Sequence, residues 1–442
     1  MKTKLFAWLL VVLMVVSLTA CATSNADASA PADSSSDASE TSSAVSETSD
    51  NNETIEVWMH WEETVAPNEN AWWTKKCAEY AEKNGVTVNL TVIPQDDYLY
   101  TKLPTAFATG SGPDVFCASA AVITPFINSG VTLDLAPYMS EELKADFTPA
   151  AFEGVQIGDS IYAIPFEADL LALFYNKDML AEAGIEVPKT WSELKDAAVA
   201  LTTDTTWGLT LQTAPGAHSR MQFPIFVWQQ GKNLIEADGT SNLNSPETIK
   251  ALQYWHDLMA SGGLMETDGN MDGMKLIGEE TAMMISGTWE ISRFENDYPD
   301  FPLGLAQIPL PDEGGEYASC AGGWKACVNS ASSCADTAAD FVLFLFGQIP
   351  PTNAIEWCTE AKFAYSPRTS VVETASEIYS VGLREFFSTE INPVAHPELA
   401  IDGDVASIMD DMLQDALFNT TAEEAAANAD ARYQEYLSQN NG

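Results

Sequence analysis

The residues of this chain with the types to do chemistry are aromatic and acidic, and they stand where its apolar runs end. Trp61, between His60 and Glu62, follows the alternating run Ile55–Met59. Ser119 closes a run that starts at Val115, Trp289 follows Gly287-Thr288, and Trp324 follows Gly322-Gly323. Glu167 and Asp169 lie between the apolar runs Ile161–Phe166 and Leu170–Tyr175. Indole faces cover apolar C–H patches and carboxylates accept from hydroxyls, so the set suits reversible capture of a polyhydroxylated molecule. The paired glycines before Trp324 would let backbone amides approach a ligand. Catalytic signatures are missing: the sequence has no GxSxG elbow, HExxH or P-loop. A glycosidase built on two of Glu62, Glu167 and Asp169 stays open, because it needs only two carboxyls at a fixed separation.

The elements that must position these residues read as an open α/β sheet, which binds ligands beyond the C-terminal ends of its strands. Ile55–Met59 and Val86–Ile93 alternate as strands, with a helix predicted over Trp72–Asn84 between them. A second helix, Asp96–Thr109, holds Pro104 and should kink or restart there, at a cost of about 3 kcal/mol. Strand–helix–strand–helix–strand implies parallel pairing with helical cover. Downstream, Asn176 caps a helix that ends at Gly184. Thr190-Trp191-Ser192-Glu193 fits a capping box, and Ser245-Pro246-Glu247 starts a helix running to about Ala260. Trp72, Trp73, Trp191, Trp207, Trp228 and Trp357 read as core or helix-start residues.

Composition narrows the classes further. A net charge of −44, from 20 Lys plus Arg against 64 acidic residues, excludes nucleic acid as a partner. The charge serves solubility; attraction of a cationic solute is the alternative. Lys2 and Lys4 precede an apolar run to Leu18, then Leu18-Thr19-Ala20-Cys21. This predicts a signal peptide over 1–20 with lipidation at Cys21, hence anchorage at the outer face of the cell membrane. Residues 21–53, Ser/Ala-rich and acidic, are predicted to be a disordered tether reaching roughly 30 Å. The remaining about 390 residues exceed what one core serves. Six cysteines remain after Cys21, and their spacing matches no zinc pattern. Disulfides and buried free thiols are both open.

One stretch carries a family resemblance. Tyr162-Ala163-Ile164-Pro165, Tyr175-Asn176-Lys177-Asp178, Ala183-Gly184 and Pro188-Lys189-Thr190-Trp191 resemble a signature of the solute-binding proteins that deliver sugars to bacterial ABC importers. Gly110–Phe116, Leu243–Glu247, Thr281–Trp289, Ala321–Trp324, Ala338–Phe346 and Tyr365–Arg368 resemble further motifs of that family in the same order. The resemblance implies an α/β, two-lobed, periplasmic-binding-protein-like fold with three interlobe crossings and a cleft between the lobes. It implies lobes of 54–166 plus 325–365 and of 167–322 plus 366–442, with crossings near Phe166–Ala168, Gly322–Trp324 and Tyr365–Arg368. It also implies a stacking role for Trp289, a carboxylate role for Asp169, and ligand contacts from Glu167, Gly323, Trp324 and Arg368 beside the crossings. Asp114 would be structural. Leu171 stands where relatives often carry Arg, which leaves the particular sugar open. The implied protein is a monomer that captures a carbohydrate and serves ABC permease subunits. It needs no cofactor or metal and catalyses nothing.

Overall fold

A computed structural model describes residues 53–267 and 272–440. The signal peptide, Cys21 and nearly all of the tether expected from sequence lie outside the described residues. In the first half, β1 (Thr54–Met59), β2 (Thr87–Val92) and β3 (Val115–Ser119) are followed by a two-stranded ribbon, β4 (Gln156–Ile157) with β5 (Ser160–Ile161). Next come β6 (Ile164–Pro165), β7 (Asp169–Asn176), β8 (Trp207–Thr210), β9 (Leu264–Met265) and β10 (Thr281–Gly287). The last four are β11 (Leu303–Ala306), β12 (Ser319–Gly322), β13 (Trp324–Val328) and β14 (Ala395–Pro397).

Two main sheets result. One runs β2-β1-β3-β13-β6 and the other β14-β12-β7-β10-β8-β9, with β11 also on β7. In the first, β1 is parallel to β2 and β3, and β13 returns antiparallel with Trp324 opposite Ser119. In the second, β7 is antiparallel to β10, β11 and β12. The apolar run of β7 has a simple reason: both its faces are buried. Leu171 and Leu173 enter one core while Leu170, Ala172 and Phe174 enter another on the opposite face.

Local signals come out as the residues dictate. Asn176 caps helix 177–183, Gly184 takes φ +67°, Thr190 and Glu193 form the reciprocal capping box, and Ser245 caps helix 246–260. Pro104 restarts the chain in a short helix, 103–108, after a wide turn over 98–102. Three expectations need correction. The first long helix begins at Pro67 rather than Trp72, because proline suits an initial turn. The run Ile161–Phe166 divides, since Ile161 pairs with Gln156 and Pro165 with Lys325. Trp207, at the outer end of β8, is 38% exposed rather than core. All six cysteines after Cys21 are free and buried.

Three passages join the sheets side by side. Phe166 donates its amide to the Trp324 carbonyl at 3.3 Å, and Ala168 and Tyr365 exchange backbone hydrogen bonds of 2.6 and 3.0 Å. Gly323, at φ +130°, lies where a Cβ would stand 2.5 Å from the Glu167 carbonyl oxygen, so no side chain fits between these passages. At the third the chain changes side three times, since Ala361 packs with the first sheet and Ala375 again with the second. Phe363 and Tyr365 pack with the second sheet, whereas Val371 packs in the core of the first.

Candidate functional site in the cleft between the sheets

Register fixes which strand ends meet. β1 and β3 finish at the edge where β13 begins, which gathers His60, Trp61, Glu62, Ser119 and Trp324. On the second sheet β8, β10, β12 and β14 finish where β7 begins, gathering Gln212, Trp289, Gly322, Asp169 and Glu398. The first passage is three residues long, 166–168, and the second is Gly323 alone, so these edges face each other.

On the first edge His60 stacks on Trp324, with ring centroids 3.9 Å apart, and lies 4.1 Å from Trp61. Burial, with help from the Lys362 charge, holds the imidazole well below its ordinary pKa, so it is neutral. Its Nδ1 is buried without a partner, as is the Ser119 hydroxyl. Trp61 is ringed by Trp73, Trp357, Phe166 and Trp324 and forms the wall rather than a free plate. Glu62 is half-buried just beyond it.

On the second edge Trp289 is half-buried, 5.7 Å from the His218 ring. Its ring lies where a side chain on Gly287 would be, which explains the glycine. Asp169 and Glu167 share one cation: Lys362 Nζ is 2.8 Å from Asp169 and 2.5 Å from Glu167. Thr288 Oγ1 donates to Asp169 at 3.1 Å, and Trp357 Nε1 donates to Glu167 at 2.7 Å. Burial raises the Glu167 pKa against the pull of Lys362, and Asp169 adds to the rise. Burial alone would lower Lys362, but the two carboxylates hold it above its ordinary value.

Arg368 is not brought to this cleft surface. Its guanidinium is 2% exposed and donates to Asp146 at 2.7 Å and to the carbonyls of Phe346 and Gln348 at 2.7 and 2.9 Å. It ties the third passage to the first lobe. Asp114 is likewise structural, accepting from the Glu56 amide and the Ser332 hydroxyl. Among the described residues no cluster of His, Cys, Asp or Glu is arranged to hold a metal. Two surface hollows, of about 530 Å³ beside Ile185 and about 330 Å³ beside Phe107, lie away from both edges.

The comparisons agree with this layout. A family described as bacterial extracellular solute-binding protein matches residues 66–348. The chain belongs to that family. A binding protein of Brucella abortus is 28% identical over 247 residues, which cover 54% of this chain and 59% of the relative. The chain thus spans about three-fifths of the length of such curated relatives. An arabinooligosaccharide-binding protein of Bacillus subtilis is 24% identical over 364 residues, 76% of this chain and 81% of its own. The solved GacH receptor of Streptomyces glaucescens, studied with acarbose, is 25% identical with a TM-score of 0.74, over 88% of this chain and 99% of that one. A maltose-bound MalE3 of T. maritima has a TM-score of 0.74 at 22% identity, over 87% and 100% of the two chains, and shows the fold.

Several cleft residues of this solute-binding protein were not legible in sequence. Lys362 is the chief one, and its only signal was a lone charge between Ala361 and Phe363. Gln212 Oε1, buried without a partner, follows β8 without any motif. Arg293 reaches Glu290 at 2.7 Å and also pairs with Asp272, beside Trp289.

Proposed function

We propose that this solute-binding protein is the capture component of an ABC importer, taking an uncharged mono- or oligosaccharide into the cleft and delivering it to a membrane permease. The observation that carries the reading is the set of buried, unpartnered polar atoms on the facing edges: His60 Nδ1 and Ser119 Oγ on one, Gln212 Oε1 on the other. Burying such groups unpaired costs about 1–3 kcal/mol each, and hydroxyls of a bound ligand would recover it. The relatives named for arabinooligosaccharide and acarbose binding support the ligand class. In this reading Trp289 and Trp324 cover sugar faces, while His60, Ser119, Glu62 and the Gly323 backbone meet hydroxyls. Asp169 and Glu167 act from behind, through Lys362. Cys21, once lipidated, would hold the monomer at the outer face of the membrane.

A hydrolase reading gains nothing from the geometry, since Glu167 and Asp169 converge on one ammonium instead of flanking a bond to be cut. A thermal-unfolding screen against neutral mono- and oligosaccharides tests the proposal. A ligand at a hundred times its Kd should add about 2.7 kcal/mol of stability. A complete lack of stabilisation across the panel would sink the sugar reading.

A further inference from the structure

Net charge makes this chain an attractive host for cations, yet several of its buried carboxylates already hold a cation of the protein's own. Asp169 and Glu167 hold Lys362. Glu290 holds Arg293, and Asp410 holds Arg220 at 2.5 Å. The Lys362 site has the form of an ammonium receptor. Two carboxylates approach Nζ from one side of the first passage, Trp357 Nε1 orients Glu167, and Thr288 orients Asp169. The aliphatic stem comes in from the third passage, and the side chain is 5% exposed.

We propose that Lys362 is a specificity-determining residue: its ammonium fills the seat between Glu167 and Asp169 that a cationic solute would otherwise take, which leaves the cleft selective for uncharged polyhydroxylated molecules. The inference rests on the cleft being the ligand site and deepens that reading. Two further observations favour it. Burial lifts the Glu167 pKa against the pull of Lys362, which lessens the excess negative charge of two carboxylates around one ammonium. Half-buried Glu69, in the first turn of helix 67–84, is likewise raised by burial and by Asp169, although Lys362 and Arg293 oppose the rise. A ligand amine entering here would find both carboxylates taken by Lys362 and would give up its hydration for no new ion pair, which should weaken binding by about tenfold or more in Kd.

The test empties the seat and offers it a substitute. In Lys362→Ala, propylammonium chloride should raise the unfolding temperature, while 1-propanol and sodium chloride at matched concentration should not. The parent protein should respond to none of the three. An equal response of the variant to propylammonium and sodium chloride, or no response at all, overturns the proposal. If the variant is unfolded alone, recovery of its circular-dichroism signal by propylammonium is the supporting outcome and failure to recover the overturning one. A second arm uses the parent protein, titrated calorimetrically with maltotriose and with the glucosamine trimer. Glucosamine trimer bound as tightly as maltotriose, or more tightly, also overturns the proposal. If the parent binds no neutral sugar in the wider screen, the sugar reading fails separately, and the propylammonium result still reads the seat.

Discussion

Replacing Arg368 by methionine separates a structural cation from a ligand contact. The guanidinium makes one charge-assisted hydrogen bond to Asp146, whose side chain is 13% exposed, and two to carbonyls. Removing one partner of a buried ion pair costs about 3–5 kcal/mol, mostly because the other charge stays behind. Asp146 is not left bare, since the Ser370 amide and hydroxyl still reach it at 2.8 and 2.6 Å. The expected loss is therefore at the lower end, about 3 kcal/mol, read by urea denaturation. Adding Asp146→Asn should recover part of it by removing the stranded charge. Calorimetry on the folded variant should find the affinity for a bound sugar unchanged within about threefold. Unchanged stability together with a tenfold or greater loss of affinity would refute the assignment and return Arg368 to the ligand.

Four other outcomes are expected. Trp289→Ala should weaken sugar binding by about 2 kcal/mol, roughly thirtyfold, with the fold intact by circular dichroism; parent-like affinity moves the plate elsewhere. Burial lifts Glu290 from 4.5 to about 7, with Arg293 and Asp272 facing it. Raised above its unfolded value, it contributes stability that is whole below about 4.5 and lost as pH rises through about 7, up to about 3 kcal/mol. Glu290→Gln should flatten that slope in denaturation curves across the window. Gly323→Ala forces a side chain against the Glu167 carbonyl at a positive φ and should cost about 1–3 kcal/mol, checked by the denaturation midpoint. Mass spectrometry of membrane-extracted protein should show lipid mass on an N-terminal Cys21; an unmodified N-terminus at another residue in secreted protein counts against anchorage.

What was legible in the sequence was local. Capping at Asn176, Thr190 and Ser245 needs only neighbours within four residues, and β7 announces burial on both faces through its composition. The strand ends carrying His60, Ser119 and Trp289 could be found for the same reason. Lys362 could not, because its carboxylate partners lie 193 and 195 residues away and a lone lysine carries no periodicity. The division of Ile161–Phe166 was hidden likewise, since a change of strand partner leaves the apolar pattern unbroken. Arg368 misled because position beside a crossing says nothing of which way a long side chain turns.

The side-by-side passages have a mechanical consequence. Connectors running separately between two bodies would allow swing, twist and slide in equal measure. Here Ala168 is laced to Tyr365 and Phe166 to Trp324, and Gly323 lets the second connector lie flat against the first. Such a laminated strip is compliant to bending across its thickness and stiff to shear in its plane. Rotation of one sheet against the other should therefore be easier than sliding between them.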